Sequence, residues 1–163
     1  PLVFVPMTAD LFHHGHINIL LKAKKYGSII VGLMTDKGIK AYKNKKPLIN
    51  FKNRRKILNQ LKCVDGIISL DGLKYVEFAK YYKFEYFVHG DDWKTNIQSN
   101  VRGKLIKTMK KWNGKVLEFP FQSPVDMHVF DPSFVTTSTL YLIPPIAHSI
   151  RLFVGHRDKS LWI

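Results

Sequence analysis

Short apolar runs alternate along the chain with longer stretches in which apolar residues recur at helical spacing. Such runs, bounded by glycine or polar residues, are typical of strands buried on both faces of a parallel sheet. They predict five strands, over residues 2–5, 28–34, 66–70, 86–89 and 115–119. The stretches between them predict helices from residue 17 onward, over 51–61, around 75–82 and from about 101 to 111. Residues 37–50 are rich in lysine and predict a loop, or a short helix followed by a loop.

The repeated strand-helix alternation with short connections predicts an α/β fold, a Rossmann-like doubly wound parallel five-stranded sheet. In such sheets ligands bind beyond the carboxyl ends of the strands. The pattern assigns residues 1–122 to one domain. Residues 123–163 contain several prolines and no sustained period, so they predict an atypical C-terminal tail, extra lobe or swapped segment of uncertain structure.

The composition adds a strong positive charge to this picture. Lys and Arg number 26 against 12 Asp and Glu, a formal net charge of +14 in 163 residues. This charge favours an anionic partner, whether a nucleotide, a phosphorylated metabolite, nucleic acid or an acidic membrane. One cysteine excludes an intrachain disulfide and fits a reducing compartment, and no apolar run predicts a membrane span, so we expect a cytoplasmic protein. A first residue other than Met suggests a processed chain or a piece of a longer one.

The most specific local pattern is ADLFHHGH at residues 9–16, between the first strand and the first helix. A helix N-terminus offers unpaired N–H groups and a positive dipole end to a phosphate, and Gly15 allows close backbone approach. His13 and His16 would donate hydrogen bonds to oxygens on which charge develops when a phosphorus is attacked. The alternatives are a chance cluster of core or surface histidines and a zinc site. Gly15 and the lack of a cysteine or carboxylate partner pattern favour phosphate.

This pattern resembles the signature of the cytidylyltransferase branch of the HxGH nucleotidyltransferase superfamily. Further segments resemble that branch in the same order, at residues 32–36, 43–46, 51–58, 64–65 and 89–94. The likeness covers about residues 2–122, and ordered motifs are more specific than one short pattern. It implies a nucleotidyltransferase that joins the CMP part of CTP to a small anionic acceptor and releases pyrophosphate.

The segment HGDDWKTNIQSNVR, residues 89–102, is most similar to the cytidylyltransferase domains of phosphonate biosynthesis, which are often fused to a phosphoenolpyruvate mutase domain. This similarity implies 2-hydroxyethylphosphonate or 2-aminoethylphosphonate as the acceptor. We expect Mg²⁺ to accompany CTP, because the negative charges of CTP must be screened before an anion can attack, and we expect no metal site made by the protein. The resemblance also implies a homodimer.

The resemblance assigns a role to each matching residue. The catalytic residues would be His13, His16 and Lys43, a mobile charge that bridges the phosphates of CTP and acceptor. The nucleotide would be bound by Thr8, Ala9, Asp10, Gly15, Asp91, Asp92 and Trp93. The acceptor or a phosphate would be bound by Lys45, Lys46, Arg54, Gln98 and Arg102. The plainer alternatives are solvated lysines, a surface arginine at residue 54, and a tight turn with a packed tryptophan at 91–93.

The family's (R/T)xGISST motif, which grips the CTP phosphates, has no counterpart after the fifth strand. Its absence leaves open a divergent replacement or a weak or inactive enzyme. Three other functions stay open: transfer to glycerol-3-phosphate or another phospho-alcohol, adenylyl transfer by the same fold, and a basic nucleic-acid-binding module. The last would use a stripe of lysines interleaved with Trp112, at Lys104, Lys107, Lys110 and Lys111, but no specific nucleic-acid signature accompanies it.

Overall fold

The computed structural model describes residues 1–95 and 98–120, and the prediction for residues 123–163 lies outside them. The five strands are β1 (Leu2–Met7), β2 (Ser28–Met34), β3 (Gly66–Leu70), β4 (Tyr86–Gly90) and β5 (Lys115–Phe119). The helices are α1 (His14–Lys24), α2 (Asp36–Lys43), α3 (Phe51–Asn59), α4 (Tyr75–Tyr82) and α5 (Ser99–Met109). Two 3₁₀ segments follow β4 and α5, at Asp91–Lys94 and Lys110–Trp112.

All strand pairs in the sheet are parallel, in the order β3-β2-β1-β4-β5. This order confirms the predicted Rossmann-like doubly wound sheet. The chain reverses direction across the sheet between β1 and β4, so the loops that follow these two strands meet at one edge. That meeting point is where sheets of this kind bind ligands.

Two apolar clusters hold the helices on opposite sides of the sheet. Leu20 of α1 and Leu58 of α3 belong to one cluster with Val3 and Val5 of β1. Residues of α2, α4 and α5 belong to the other, which is rich in aromatic rings, among them Phe4, Phe84, Phe87 and Trp93. Burying these side chains is the main favourable contribution to folding. No helix among the described residues is long and apolar enough to cross a membrane.

The helix boundaries differ from the predicted ones where polar capping groups decide them. Helix α1 begins at His14, earlier than the predicted residue 17, because His13 and His16 cap its first turn. The lysine-rich stretch contains a true helix, α2, capped by the Thr35 side chain. Asn50 caps α3 in the same manner, and this helix begins at Phe51 as predicted. Apolar spacing alone misses the start of α1, because capping satisfies the first N–H groups of a helix independently of its apolar face.

Candidate active site

Two histidines form the N-terminal cap of α1, because each imidazole accepts a hydrogen bond from a backbone N–H of the first turn. Nδ1 of His13 accepts from the N–H of Gly15 at 3.1 Å, and Nδ1 of His16 accepts from the N–H of His13 at 3.3 Å. This reciprocal arrangement is a capping box in which imidazoles replace the usual hydroxyl and carboxylate. The ring centroids lie 4.2 Å apart. The two side chains are therefore fixed side by side at the positive end of the α1 dipole.

The cap also fixes which nitrogen of each ring carries the proton. Because both Nδ1 atoms accept hydrogen bonds, each neutral ring has its proton on Nε2. Burial, helped by the charges of His13 and Lys43, lowers the pKa of His16 to about 4. Burial and the neighbouring His14 lower the pKa of His13. At neutral pH the pair thus offers two Nε2–H donors, as the sequence analysis expected for phosphate binding.

The depressed pKa of His16 gives a testable stability effect. The unfolded chain keeps the ordinary pKa of 6.5, whereas the folded chain holds His16 unprotonated down to about pH 4. As the pH falls through this window the unfolded state binds a proton that the folded state does not, so stability declines. We expect the free energy of unfolding, measured by urea titration, to fall between pH 7 and pH 5. The decline should be smaller in His16→Asn, and an equal decline in that variant would contradict this assignment.

The loop that enters α1 has a constrained backbone anchored by Asp10. Ala9 and Leu11 have φ angles of 51° and 50°, in the left-handed region that L residues rarely adopt. Between them, the Asp10 carboxylate accepts from the N–H groups of Leu48 and Ile49 at 3.0 and 2.9 Å. Asp10 thereby ties the β1–α1 loop to the loop between α2 and α3. Its predicted role as a direct nucleotide ligand stays a prediction, and its observed contacts are with backbone.

Arg54 requires a correction. Its side chain is fully buried, and its guanidinium donates to the carbonyls of Thr8, Met34 and Ile49. It also donates to the Asp36 carboxylate at 2.6 Å. These contacts join the carboxyl ends of β1 and β2 to the start of α3. Arg54 is therefore not a surface arginine. Its fork is bonded to the protein itself, and its predicted contact with a phosphate stays a prediction.

Lys43, the last residue of α2, lies close to the histidine pair. Its charge contributes to the lowered pKa of His16, although the side chain is exposed. Lys45 and Lys46 follow in the exposed part of the loop to α3. Lys43 therefore lies near enough to His16 for its charge to act on that imidazole. All three lysines are in contact with solvent, as a mobile phosphate-binding group requires.

The turn after β4 is packed against the sheet through Trp93. The indole of Trp93 is fully buried, lies parallel to His89 at a centroid distance of 4.1 Å, and donates its Nε1–H to Glu118 at 2.6 Å. Its predicted role in walling a cytidine pocket stays a prediction, and its observed contacts are within the protein. Asp92 keeps a side chain that is 46% exposed, and Asp91 precedes it at the start of the 3₁₀ segment.

Arg102 and Gln98 also have partners within the protein. Arg102 makes a forked contact with Glu118, at 2.6 and 3.1 Å, and this contact is the largest cause that holds the pKa of Glu118 at about 2. Gln98 donates to the hydroxyl of Tyr42 at 2.7 Å. Their predicted role in acceptor binding stays a prediction, and the observed contacts give each a structural task.

Three residues that organise this edge are absent from the predicted site: Asp36, His89 and Glu118. The Glu118 carboxylate accepts hydrogen bonds from Trp93 and Arg102 and lies 3.5 Å from Nζ of Lys94. The sequence did contain a signal for it, because an acid near the end of an otherwise apolar strand in a basic chain needs a partner. His89 donates from Nδ1 to the Gly90 carbonyl at 2.9 Å, and burial lowers its pKa.

The nucleic-acid alternative loses its aromatic component. Trp112 is half-buried, packs against the aromatic cluster and donates Nε1–H to the Phe84 carbonyl at 3.0 Å. These contacts give the indole a structural task within the protein. The four lysines of the stripe remain exposed.

The strand order of the parallel sheet reverses beside a helix N-terminus that carries paired imidazoles and has a lysine nearby. This arrangement is typical of a nucleotide-binding α/β protein. The comparisons with known proteins identify the family. The family model described as Cytidylyltransferase-like matches residues 4–142. The chain belongs to the cytidylyltransferase-like family, and the prediction of a nucleotidyltransferase is confirmed at that level.

The chain is also similar to curated proteins of known sequence. The chain is 36% identical over 94 residues to the bifunctional protein HldE of Helicobacter pylori (strain HPAG1), covering 56% of this chain and 20% of the relative. It is 32% identical over 115 residues to HldE of Blochmanniella floridana, covering 69% of this chain and 23% of the relative. The chain therefore spans about a fifth of the length of these relatives.

The fold itself is similar to two archaeal structures. One is the lipopolysaccharide core biosynthesis protein of Thermoplasma volcanium, with a TM-score of 0.63 and 22% identity, covering 75% of this chain and 98% of that one. The other is a protein of unknown function from Archaeoglobus fulgidus, with a TM-score of 0.53 and 17% identity, covering 73% of this chain and 89% of that one. At these identities the likeness concerns the fold alone.

Proposed function

We propose that the protein transfers CMP from CTP to a small phosphonate, 2-hydroxyethylphosphonate or 2-aminoethylphosphonate. The observation that carries this proposal is the pair of neutral imidazoles, His13 and His16, which present Nε2–H donors at the start of α1 beside Lys43. The family assignment supports nucleotidyl transfer. The resemblance of residues 89–102 to phosphonate-specific domains supports the acceptor.

The reaction needs no covalent enzyme intermediate. A phosphonate oxygen of the acceptor attacks the α-phosphorus of CTP in line, and the bond from that phosphorus to the oxygen bridging to the β-phosphate breaks. The two Nε2–H groups donate to phosphate oxygens on which charge accumulates, and Lys43 neutralises charge between the reacting anions. The hydrogen bonds from these neutral donors become stronger in the transition state, because the oxygens that accept them then carry more negative charge than in the ground state.

Mg²⁺ is the cation proposed to accompany CTP, because its charge screens the triphosphate from an attacking anion. The β1–α1 junction offers one carboxylate, Asp10, and that group is bonded to two backbone N–H groups. No group of three or more histidine, cysteine or acidic side chains suited to a metal occurs within residues 1–95 and 98–120. We therefore assign no metal ligand to these residues, and Mg²⁺ would enter bound to CTP.

The charge distribution supports an anionic substrate. Beyond residue 120 the sequence has three basic residues, Arg151, Arg157 and Lys159, and three acidic ones, Asp126, Asp131 and Asp158. Their charges cancel, so the whole formal charge of +14 belongs to residues 1–120. A field of this sign raises the local concentration of nucleotide and acceptor. The homodimer and the fusion to a phosphoenolpyruvate mutase domain stay proposals that follow from the resemblance.

The test is pyrophosphate release with each of CTP, ATP, GTP and UTP. Each nucleotide is offered with 2-hydroxyethylphosphonate, 2-aminoethylphosphonate or glycerol-3-phosphate, with Mg²⁺ present. We expect turnover with CTP and a phosphonate only. Turnover with ATP would replace cytidylyl by adenylyl transfer, and preference for glycerol-3-phosphate would replace the acceptor. Omitting the acceptor controls for simple hydrolysis of the nucleotide.

A further inference from the structure

Helix α2 is held firmly at its start. Thr35 accepts from the Gly38 N–H at 3.1 Å and donates to Asp71 at 2.6 Å. A Cβ on Gly38 would lie 2.6 Å from the backbone nitrogen of Gly72, so the helix packs closely against the β3–α4 loop. The other end is different, because Asn44 leaves the helix in a left-handed conformation and leads into an exposed loop. Something else must fix that end.

A hydrogen bond between Tyr42 and Gln98 provides this fixation. Gln98, at the N-cap position of α5, is 5% exposed and donates Nε2–H to the Tyr42 hydroxyl at 2.7 Å. The two residues are 56 positions apart in the chain. The Tyr42 ring also packs against the aromatic cluster. Because the Gln98 side chain is buried, a bond lost there would not readily be replaced by a bond to water.

Lys43 is next to this bond in the chain. It directly follows Tyr42, and its Nζ lies 6.0 Å from the centroid of the Tyr42 ring. A lysine side chain has many rotamers, so its average position is set by where its backbone and nearest neighbour are held. A shift of about 1 Å at a reacting group costs roughly a hundredfold in rate, so small displacements of α2 matter.

We propose that Tyr42 and Gln98 are a positioning pair, which holds the C-terminal end of α2 so that Lys43 stays beside the histidine pair. This inference rests on the proposed function for the role of Lys43. It gives Gln98 a task other than the predicted acceptor binding. Tyr42 acts through Lys43 and touches no reacting atom.

The first test is kinetic. Tyr42→Phe deletes only the hydroxyl, and we expect kcat to fall about five- to tenfold with KM for CTP and acceptor within about twofold. Gln98→Met should give the same result, whereas a rise confined to the acceptor KM would restore Gln98 to acceptor binding and overturn the proposal. Tyr82→Phe, a hydroxyl deletion on α4, is the matched control and should leave kcat unchanged.

A double-mutant cycle separates positioning from a general structural effect. In a Lys43→Ala background, Tyr42→Phe should change kcat by less than about twofold, because the residue it positions is gone. An undiminished loss in that background would mean that Tyr42 acts independently of Lys43, and the proposal would fail.

The second test needs no turnover. The Lys43 charge opposes protonation of His16, together with burial and the charge of His13. If Tyr42→Phe lets Lys43 move away, the His16 pKa, followed by NMR of the imidazole Cε1–H, should rise toward 6.5. An unchanged His16 pKa in Tyr42→Phe would overturn the positioning role. A wild-type protein that releases no pyrophosphate with any nucleotide refutes the proposed function instead, and this titration still decides the question of Tyr42.

Discussion

His16→Asn should lower the rate of pyrophosphate release by about 100- to 1,000-fold while leaving the protein folded. Asparagine places Oδ1 where the imidazole has Nδ1, so the acceptor for the His13 N–H is kept. It offers no donor at the position of Nε2. The variant therefore removes the group proposed to stabilise charge on the phosphates and preserves the cap.

Two further variants complete this experiment. His16→Ala removes donor and cap together, so it should be equally inactive and also less stable, by about 1 kcal/mol. His14→Asn changes the neighbouring imidazole, which does not take part in the cap, and should retain activity within about threefold. Stability is followed by urea denaturation and activity by pyrophosphate release. An active His16→Asn enzyme would show that the Nε2–H donor is dispensable.

Arg54→Met should reduce the free energy of unfolding by about 3–5 kcal/mol, the range for breaking a buried charged network. The substitution leaves the carbonyls of Thr8, Met34 and Ile49 without their donor and Asp36 without its partner. Arg54→Lys should recover little, because an ammonium does not reproduce the planar fork. The measurement is the urea midpoint together with the slope of the transition.

The matched control is Arg55→Met, which removes the same charge from an exposed position on the same helix. It should change stability by less than about 0.5 kcal/mol. The result would contradict the structural role if Arg54→Met stayed as stable as this control and instead raised KM for CTP. That outcome would return Arg54 to phosphate binding.

The sheet could be predicted from sequence because its strands are apolar runs between turn residues. Three of them, residues 28–34, 66–70 and 115–119, have the predicted boundaries. The start of α1 could not be predicted from spacing, since it depends on a cap made by two histidines. The site was predicted in part: the motif located the histidine pair, and the structure places Lys43 near it.

The partners of Arg54, Trp93 and Arg102 could not be read from sequence. A charged or aromatic residue in a motif has the same letter whether it faces a ligand or another part of the protein. Arg54 bonds to carbonyls that are distant in the chain, and backbone carbonyls leave no compositional trace. Trp93 and Arg102 both meet Glu118, a pairing that only the adjacency of β4 and β5 creates.

The link from Asp10 to Leu48 and Ile49 has a consequence for protein engineering. Suppose that the loop between α2 and α3 were exchanged with that of a relative in order to change the acceptor. The exchange would break the contacts that this loop makes with Asp10 of the β1–α1 loop unless both loops were exchanged. Residues 8–12 and 44–50 should therefore be transplanted as one module, with Arg54 retained beneath them.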